Sequence, residues 1–77
     1  MKKHYRYWDK ELLKAALLEP VSSLNLDDNT INTLERAGII KIENLLDLTQ
    51  EQLLDIKNVG PTKQKKIMNA LKKRGFS

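Results

Sequence analysis

The segment from Leu53 to Ile67 holds the residues best suited to chemistry in this sequence. It predicts a short apolar helix, a tight turn at Asn58 to Gly60, and a second helix that opens at Pro61 and carries several lysines. At the start of such a helix, the free backbone N–H groups and the helix dipole favour an anion. Lysines beside those N–H groups add positive charge. The segment therefore predicts a phosphate site.

This pattern is typical of a helix-hairpin-helix, a motif with which proteins hold a nucleic-acid backbone while reading few bases. Gly60 is expected to allow close approach of that backbone, and Lys63, Lys65 and Lys66 are expected to neutralise phosphates. A valine at Gly60 should then damage both packing and approach, because β-branched residues are penalised where φ is positive or contact is close. The alternative is that the turn serves only to pack two helices.

Charge is separated along the sequence, although the net charge is only +4. Residues 1–10 hold four cations and one carboxylate, residues 11–57 hold four cations and nine carboxylates, and residues 58–77 hold six cations and no carboxylate. Positive potential is therefore concentrated on the C-terminal helix, where it attracts polyanions and supplies sequence-independent affinity. The alternative is that these lysines form only the solvated face of that helix.

Length and composition exclude several classes of protein. The 77 residues make one domain at most, and a domain of this size buries only ~60% of the surface of its unfolded state. The sequence has no cysteine, so disulfides and thiolate metal sites are excluded and a reducing compartment, by default the cytoplasm, is expected. Its apolar runs are far shorter than the ~20 residues that span a bilayer. We predict a soluble protein with no membrane association.

No residues are arranged for catalysis or for metal binding. The single histidine, His4, has no second ligand at metal spacing. Asp27 and Asp28 are better explained as helix-capping residues than as a paired acid and base. We therefore predict a protein that is not an enzyme, with no catalytic residue, no metal and no cofactor.

Capping signals and apolar spacing predict a compact all-α bundle of about five short helices, with no strand. The first predicted helix begins after the Asp9 cap and ends near Leu18, and the second runs from Asp28 to Ala37. The third lies within Ile42 to Leu48, and the fourth runs from the Thr49 capping box through Ile56. The fifth begins at Pro61 and ends at Gly75. We divide the sequence into a flexible basic and aromatic N-terminus (residues 1–7), an amphipathic helix (8–18) and a helical domain (19–77). A monomer is expected.

The N-terminal helix carries an apolar stripe that needs a partner in water. The stripe consists of Leu12, Leu13, Ala16 and Leu17. We expect it to fold back on the domain, and self-association is the second choice. The segment before it interleaves cations with aromatic residues and could stack on unpaired bases. The preferred interpretation is that Trp8 and one tyrosine cover the apolar face of this helix.

Several segments, in this order and spacing, are shared with a known family. They are Leu18 to Leu26, Leu34 with Arg36 to Ile39, Leu45 with Leu48 and Thr49, Leu53 with Leu54, Asn58 to Gly60, and Leu71 to Phe76. From Leu18 to Phe76, about three quarters of the 77 residues, the sequence resembles the C-terminal domain of the bacterial RNA polymerase alpha subunit. The resemblance implies helix-hairpin-helix-like elements that bind the minor groove of A·T-rich DNA, and docking onto transcription activators. Because it begins with Met1 and lacks the large polymerase-assembly domain, the protein is similar to a free-standing relative.

The resemblance also implies which residues contact DNA. Two family contacts match, at Asn32 early in the second helix and at Gly60 in the turn. Three differ, because Asn29 stands where the family has its main minor-groove arginine, Thr62 where it has a lysine, and Lys63 where it has a serine. An arginine exploits the enhanced negative potential of a narrow minor groove, which a neutral asparagine cannot do. Weak sequence specificity is therefore expected.

Two functions remain open. The first is a small DNA-binding domain associated with transcription, which contacts the backbone or minor groove through the hairpin turn. Its candidate nucleic-acid-binding residues are Asn29, Asn32, Asn58, Gly60, Thr62, Lys63, Lys65 and Lys66. The alternative is a protein-interaction module that binds transcription factors or RNA polymerase without gripping DNA. The neutral Asn29 and the acidic middle of the sequence favour this alternative.

Overall fold

The computed structural model describes residues 10–76. Over this range the protein forms five α-helices: α1 (Lys10–Leu18), α2 (Asp28–Arg36), α3 (Ile42–Leu46), α4 (Gln50–Leu54) and α5 (Pro61–Lys73). The described residues form no strand, and a single isolated antiparallel bridge joins Pro20 to Lys41. None of these five helices has the length and apolar composition needed to cross a membrane. The predicted all-α fold is confirmed.

Capping side chains fix the starts of α2 and α4 where the sequence predicts them. The Asp27 carboxylate accepts hydrogen bonds from the Thr30 backbone N–H (3.3 Å) and hydroxyl (2.7 Å). Thr49 and Gln52 form a reciprocal capping box, in which each side chain accepts a bond from the other residue's backbone N–H. These bonds satisfy N–H groups that a helix start leaves without an intrahelical partner.

Helix ends differ from the predicted boundaries by one or two residues. Both α3 and α4 stop earlier than expected, because the backbone beyond them closes into tighter i to i+3 bonds, such as those from Leu48 N to Leu45 O and from Ile56 N to Leu53 O. A short 3₁₀ turn at Val21–Ser23 was not predicted. It forms because Pro20 holds an extended conformation and ends α1, after which Ser23 N bonds back to Pro20 O.

The core lies between α5 and the shorter helices. Its fully buried apolar side chains come from all parts of the domain: Val21, Leu34, Ile42, Leu45, Leu53, Ile67 and Leu71. Gly75 closes α5 with a φ of +92°, and Phe76 then returns to the core with a backbone bond to Leu71 O. Positive φ is readily adopted by glycine, which explains this sharp stop. Helix α5 is therefore anchored along one face while its opposite face meets solvent.

Helix α1 packs on α3, which matches the first expectation for its apolar stripe. Ala16 is buried, and Leu13 and Leu17 lie partly buried against the core. Leu12, however, is 55% exposed and does not share the buried face. It precedes Leu13 directly on the helix and projects about 100° away from it. The predicted Asp9 cap and the cluster of aromatic residues before it lie outside the described residues.

Candidate nucleic-acid interface

The hairpin turn between α4 and α5 is pinned on both sides to the core. Val59 N donates a hydrogen bond to Ile56 O at 3.0 Å, which closes a turn with Lys57 and Asn58 at its centre. Val59 is buried and Ile56 lies partly buried against the core. Lys57 and Asn58 are exposed. The turn thus presents the Lys57 ammonium and the Asn58 amide to solvent, while its flanking residues are packed against the core.

The residue with special backbone geometry in this turn is Asn58, and the expectation for Gly60 is wrong in part. Asn58 has a φ of +71°, the left-handed conformation that asparagine tolerates better than most residues. Gly60 has a φ of −97°, and a Cβ built on it would meet no atom within 4 Å. Valine at Gly60 is therefore not expected to damage packing. Whether Gly60 gives DNA close access stays a prediction.

Lys63 joins the first turn of α5 to the outer face of α2. Its Nζ donates to Asn29 Oδ1 at 2.9 Å and to Thr33 Oγ1 at 3.3 Å, and the Thr33 hydroxyl donates in turn to the Asn29 backbone carbonyl at 2.8 Å. Both acceptors of the ammonium are neutral, so its positive charge is not cancelled. An ammonium carries three donors, and two of them are used here. The third is not used by any residue in the described part of the protein.

One face of α2 carries several polar residues beside this contact. Asn29, Thr33 and Arg36 follow one another at spacings of four and three, which places them on the same side of a helix. Asn32, three residues after Asn29, lies near that side and is exposed. Asn29 and Asn32 therefore belong to a surface that also includes Lys63.

A groove of about 210 Å³ lies between this face of α2 and the hairpin turn. Its lining consists of Thr33, Arg36, Ala37, Ile56, Lys57 and Asn58. Two of these residues are cations and none is a carboxylate. Thr33 lies in the groove and also accepts the bond from Lys63, so the groove and the ammonium adjoin each other.

Lys66 lines a different cleft, next to the residues that precede α2. The residues around it include Asp27, Asn69 and Lys73. The pKa of the Asp27 carboxyl is lowered, chiefly by the hydrogen bond from the Thr30 hydroxyl and, to a smaller degree, by the charge of Lys66. Lys66 therefore shares its surroundings with a carboxylate, unlike Lys63.

Two further candidates lie on α5 away from these contacts. Thr62 and Lys65 are both exposed. Lys65 follows Lys63 by two residues, so it projects about 200° round the helix from it. The structure thus brings Asn29 and Lys63 together, sets Asn58 beside them in the groove, and leaves Lys65 on another side of the helix.

Sequence reasoning missed three residues of this surface. Thr33, Arg36 and Lys57 were not among the candidates, although each lines the groove. The position of Arg36, seven residues after Asn29, was a usable signal, because that spacing returns to the same face of a helix. Thr33 and Lys57 meet only through the fold, since 24 residues of sequence separate them.

The sequence places this arrangement in a known family. The model of the family formed by the C-terminal domain of the bacterial RNA polymerase alpha subunit matches residues 9–73. The protein belongs to this family. Its members are domains without catalytic function, and the membership makes this a transcription-associated domain.

Polymerase subunits from algae and cyanobacteria are similar to this member of the family. The DNA-directed RNA polymerase subunit alpha of Spirogyra maxima is 40% identical over 73 residues, which cover 90% of this protein and 21% of the relative. That of Cyanophora paradoxa is 42% identical over 55 residues, or 71% of this protein and 18% of the relative. The subunit of Trichodesmium erythraeum gives the same identity and coverage. The protein spans about a fifth of the length of these relatives.

Proposed function

We propose that this domain binds double-stranded DNA through the hairpin turn, the first turn of α5 and the outer face of α2. The observation that carries the proposal is the bond from Lys63 Nζ to Asn29 Oδ1. It makes one surface of two segments that lie 34 residues apart. A surface assembled in this way needs no rearrangement of its central cation before binding, which lowers the cost of ordering side chains at an interface.

The charges of this surface favour phosphate. The Lys63 ammonium is not paired with a carboxylate in the described part of the protein, because its hydrogen-bond partners there are neutral oxygens. No carboxylate side chain follows Asp55 anywhere in the sequence, so α5 carries cations alone. Lys65 and Lys66 add to the positive potential of that helix, and Thr62 offers a hydroxyl at its start. Together they supply the sequence-independent part of the affinity.

The same surface supports only weak sequence specificity. Asn29 and Asn32 present amides that can donate to the acceptors on the floor of the minor groove, where A·T and T·A pairs present the same acceptors. Asn29 is neutral, however, and already accepts a bond from Lys63. The remaining interactions are with phosphates, which position a protein without reading bases. We expect dissociation constants of roughly 10⁻⁴ to 10⁻⁶ M at physiological salt.

A protein-interaction module is the second candidate function. Glu51 and Asp55 of the α4 region are exposed, and they give this side of the domain a charge opposite to that of α5. Such a surface suits a basic partner, and the curated relatives are subunits of an RNA polymerase. A transcription factor or RNA polymerase itself would be that partner, and the domain would bind it without gripping DNA.

A titration with two duplexes separates these candidates. The domain is added to fluorescently labelled A·T-rich and G·C-rich duplexes of equal length at about 50 and about 200 mM NaCl, and anisotropy is measured. With four or five phosphate contacts, the logarithm of the affinity should fall with that of the salt concentration with a slope near −4. The two duplexes should differ little. An absence of binding to both at the lower salt concentration would contradict the proposal and leave the protein-interaction module.

A further inference from the structure

We infer that the groove between α2 and the hairpin turn is a second phosphate-binding site, in which Arg36 and Lys57 hold the backbone of the same nucleic acid that Lys63 contacts. This site rests on the proposed DNA binding and extends it to residues outside the candidates that the sequence suggested. It consists of a concave surface and two cations, beside the Lys63 ammonium.

The groove has the shape and charge that a phosphate requires. It has a volume of about 210 Å³, and its lining includes Arg36 from α2 and Lys57 from the turn. Guanidinium and ammonium groups are the usual protein ligands of phosphate. Asn58 adds an amide that can donate to phosphate oxygens.

Neither cation is neutralised within the described part of the protein. Among residues 10–76, no ion pair occupies the Arg36 guanidinium or the Lys57 ammonium. Glu35 and Asp55 are close to them in sequence, but neither lines the groove. Two like charges that face one concavity repel each other, and an anion between them removes that repulsion. The groove is therefore more favourable to an anion than a surface with a single lysine.

The spacing of the two sites suits separate phosphates. Arg36 follows Asn29, the partner of Lys63, by seven residues on α2, which is about 10 Å along the helix axis. Successive phosphates of one DNA strand advance by ~3.4 Å along the duplex axis. Arg36 is thus placed to contact a different phosphate from the one that Lys63 contacts, while Thr33, which lines the groove and accepts from Lys63, keeps both within one interface.

The test is the salt dependence of duplex binding by charge-removing variants. Arg36→Gln with Lys57→Gln removes both groove cations, and Lys14→Gln with Lys72→Gln removes two exposed cations elsewhere while changing the net charge equally. Because the first pair removes two phosphate interactions, the slope of log affinity against log salt should become less steep by about 1.8, and affinity at about 0.1 M salt should fall about 60-fold. The control pair should change the slope by less than half as much.

A charge-retaining pair guards against a loss of folding. Arg36→Lys with Lys57→Arg keeps both charges and should keep the slope of the unmodified domain, and circular-dichroism melting should show all three pairs folded. If Arg36→Gln with Lys57→Gln bound the duplex with the same affinity and the same slope as the unmodified domain, the groove site would be overturned and the proposed DNA binding would stand. An equal loss in the control pair would also overturn the groove site. Failure of the unmodified domain to bind any duplex would overturn both proposals.

Discussion

Lys63 and Arg74 lie at opposite ends of α5, and each makes a bond across the fold to a residue distant in sequence. Lys63 donates to the neutral oxygens of Asn29 and Thr33, whereas Arg74 donates to the carboxylate of Glu19 at 2.7 Å. The first bond orients a charge and leaves it available. The second pairs the charge with an opposite one. On the proposed function, the chemistry of the protein partner, rather than the number of cations, decides which cation is available to bind DNA.

The largest effect on stability is expected at Asn58, in the turn that precedes the helix carrying Lys63. Asn58→Ala should destabilise the domain by about 1 to 2 kcal/mol, because the left-handed conformation is costly for alanine. Asn58→Gly is the matched control and should cost much less, because glycine adopts positive φ readily. Urea unfolding gives the free energy of unfolding of both variants. Equal stability of the alanine variant and the original would contradict the role assigned to this φ.

A smaller effect on stability is expected at the other end of α5. Arg74→Gln should destabilise the domain by about 0.5 kcal/mol, because both side chains of its ion pair remain partly exposed and solvent screens the attraction. Glu19→Gln should cost a similar amount, and the double variant should cost little more than either change alone. Thermal melts at low and high salt provide the measurement. Additive losses in the double variant would show that the pair contributes no coupling.

The helices were predictable from sequence because their signals are local. Asp27 with Thr30 and Thr49 with Gln52 are each contained within four residues, and a cap of this kind is specified by its own residue types. The α3 and α4 ends were less predictable, because tight turns continue beyond the last α-helical residue. In the hairpin turn the sequence pointed to Gly60 as the residue with special backbone geometry, because glycine readily adopts positive φ. In the structure the residue with positive φ is Asn58.

The candidate site could be proposed from its residue types, but its contacts could not be predicted from the sequence. Lysines near the start of α5 follow from composition, whereas the pairing of Lys63 with Asn29 depends on how α5 packs against α2. The groove depends on the same packing, since Arg36 and Lys57 come from different elements. A single sequence carries no local signal for either arrangement. The fold was required to show that Lys63 is held by neutral oxygens on α2 whereas Lys66 lies near the Asp27 carboxylate.

The central claim is tested most directly by comparing the salt dependence of duplex binding for Lys63→Gln and Arg74→Gln. Each variant removes one positive charge from α5 or its C-terminal cap, so the change in net charge is the same. We predict that Lys63→Gln makes the slope of log affinity against log salt less steep by about 0.9, since it removes one phosphate interaction, whereas Arg74→Gln leaves it unchanged. Equal slopes for the two variants would contradict the distinction between a cation held by neutral oxygens and a cation paired with a carboxylate.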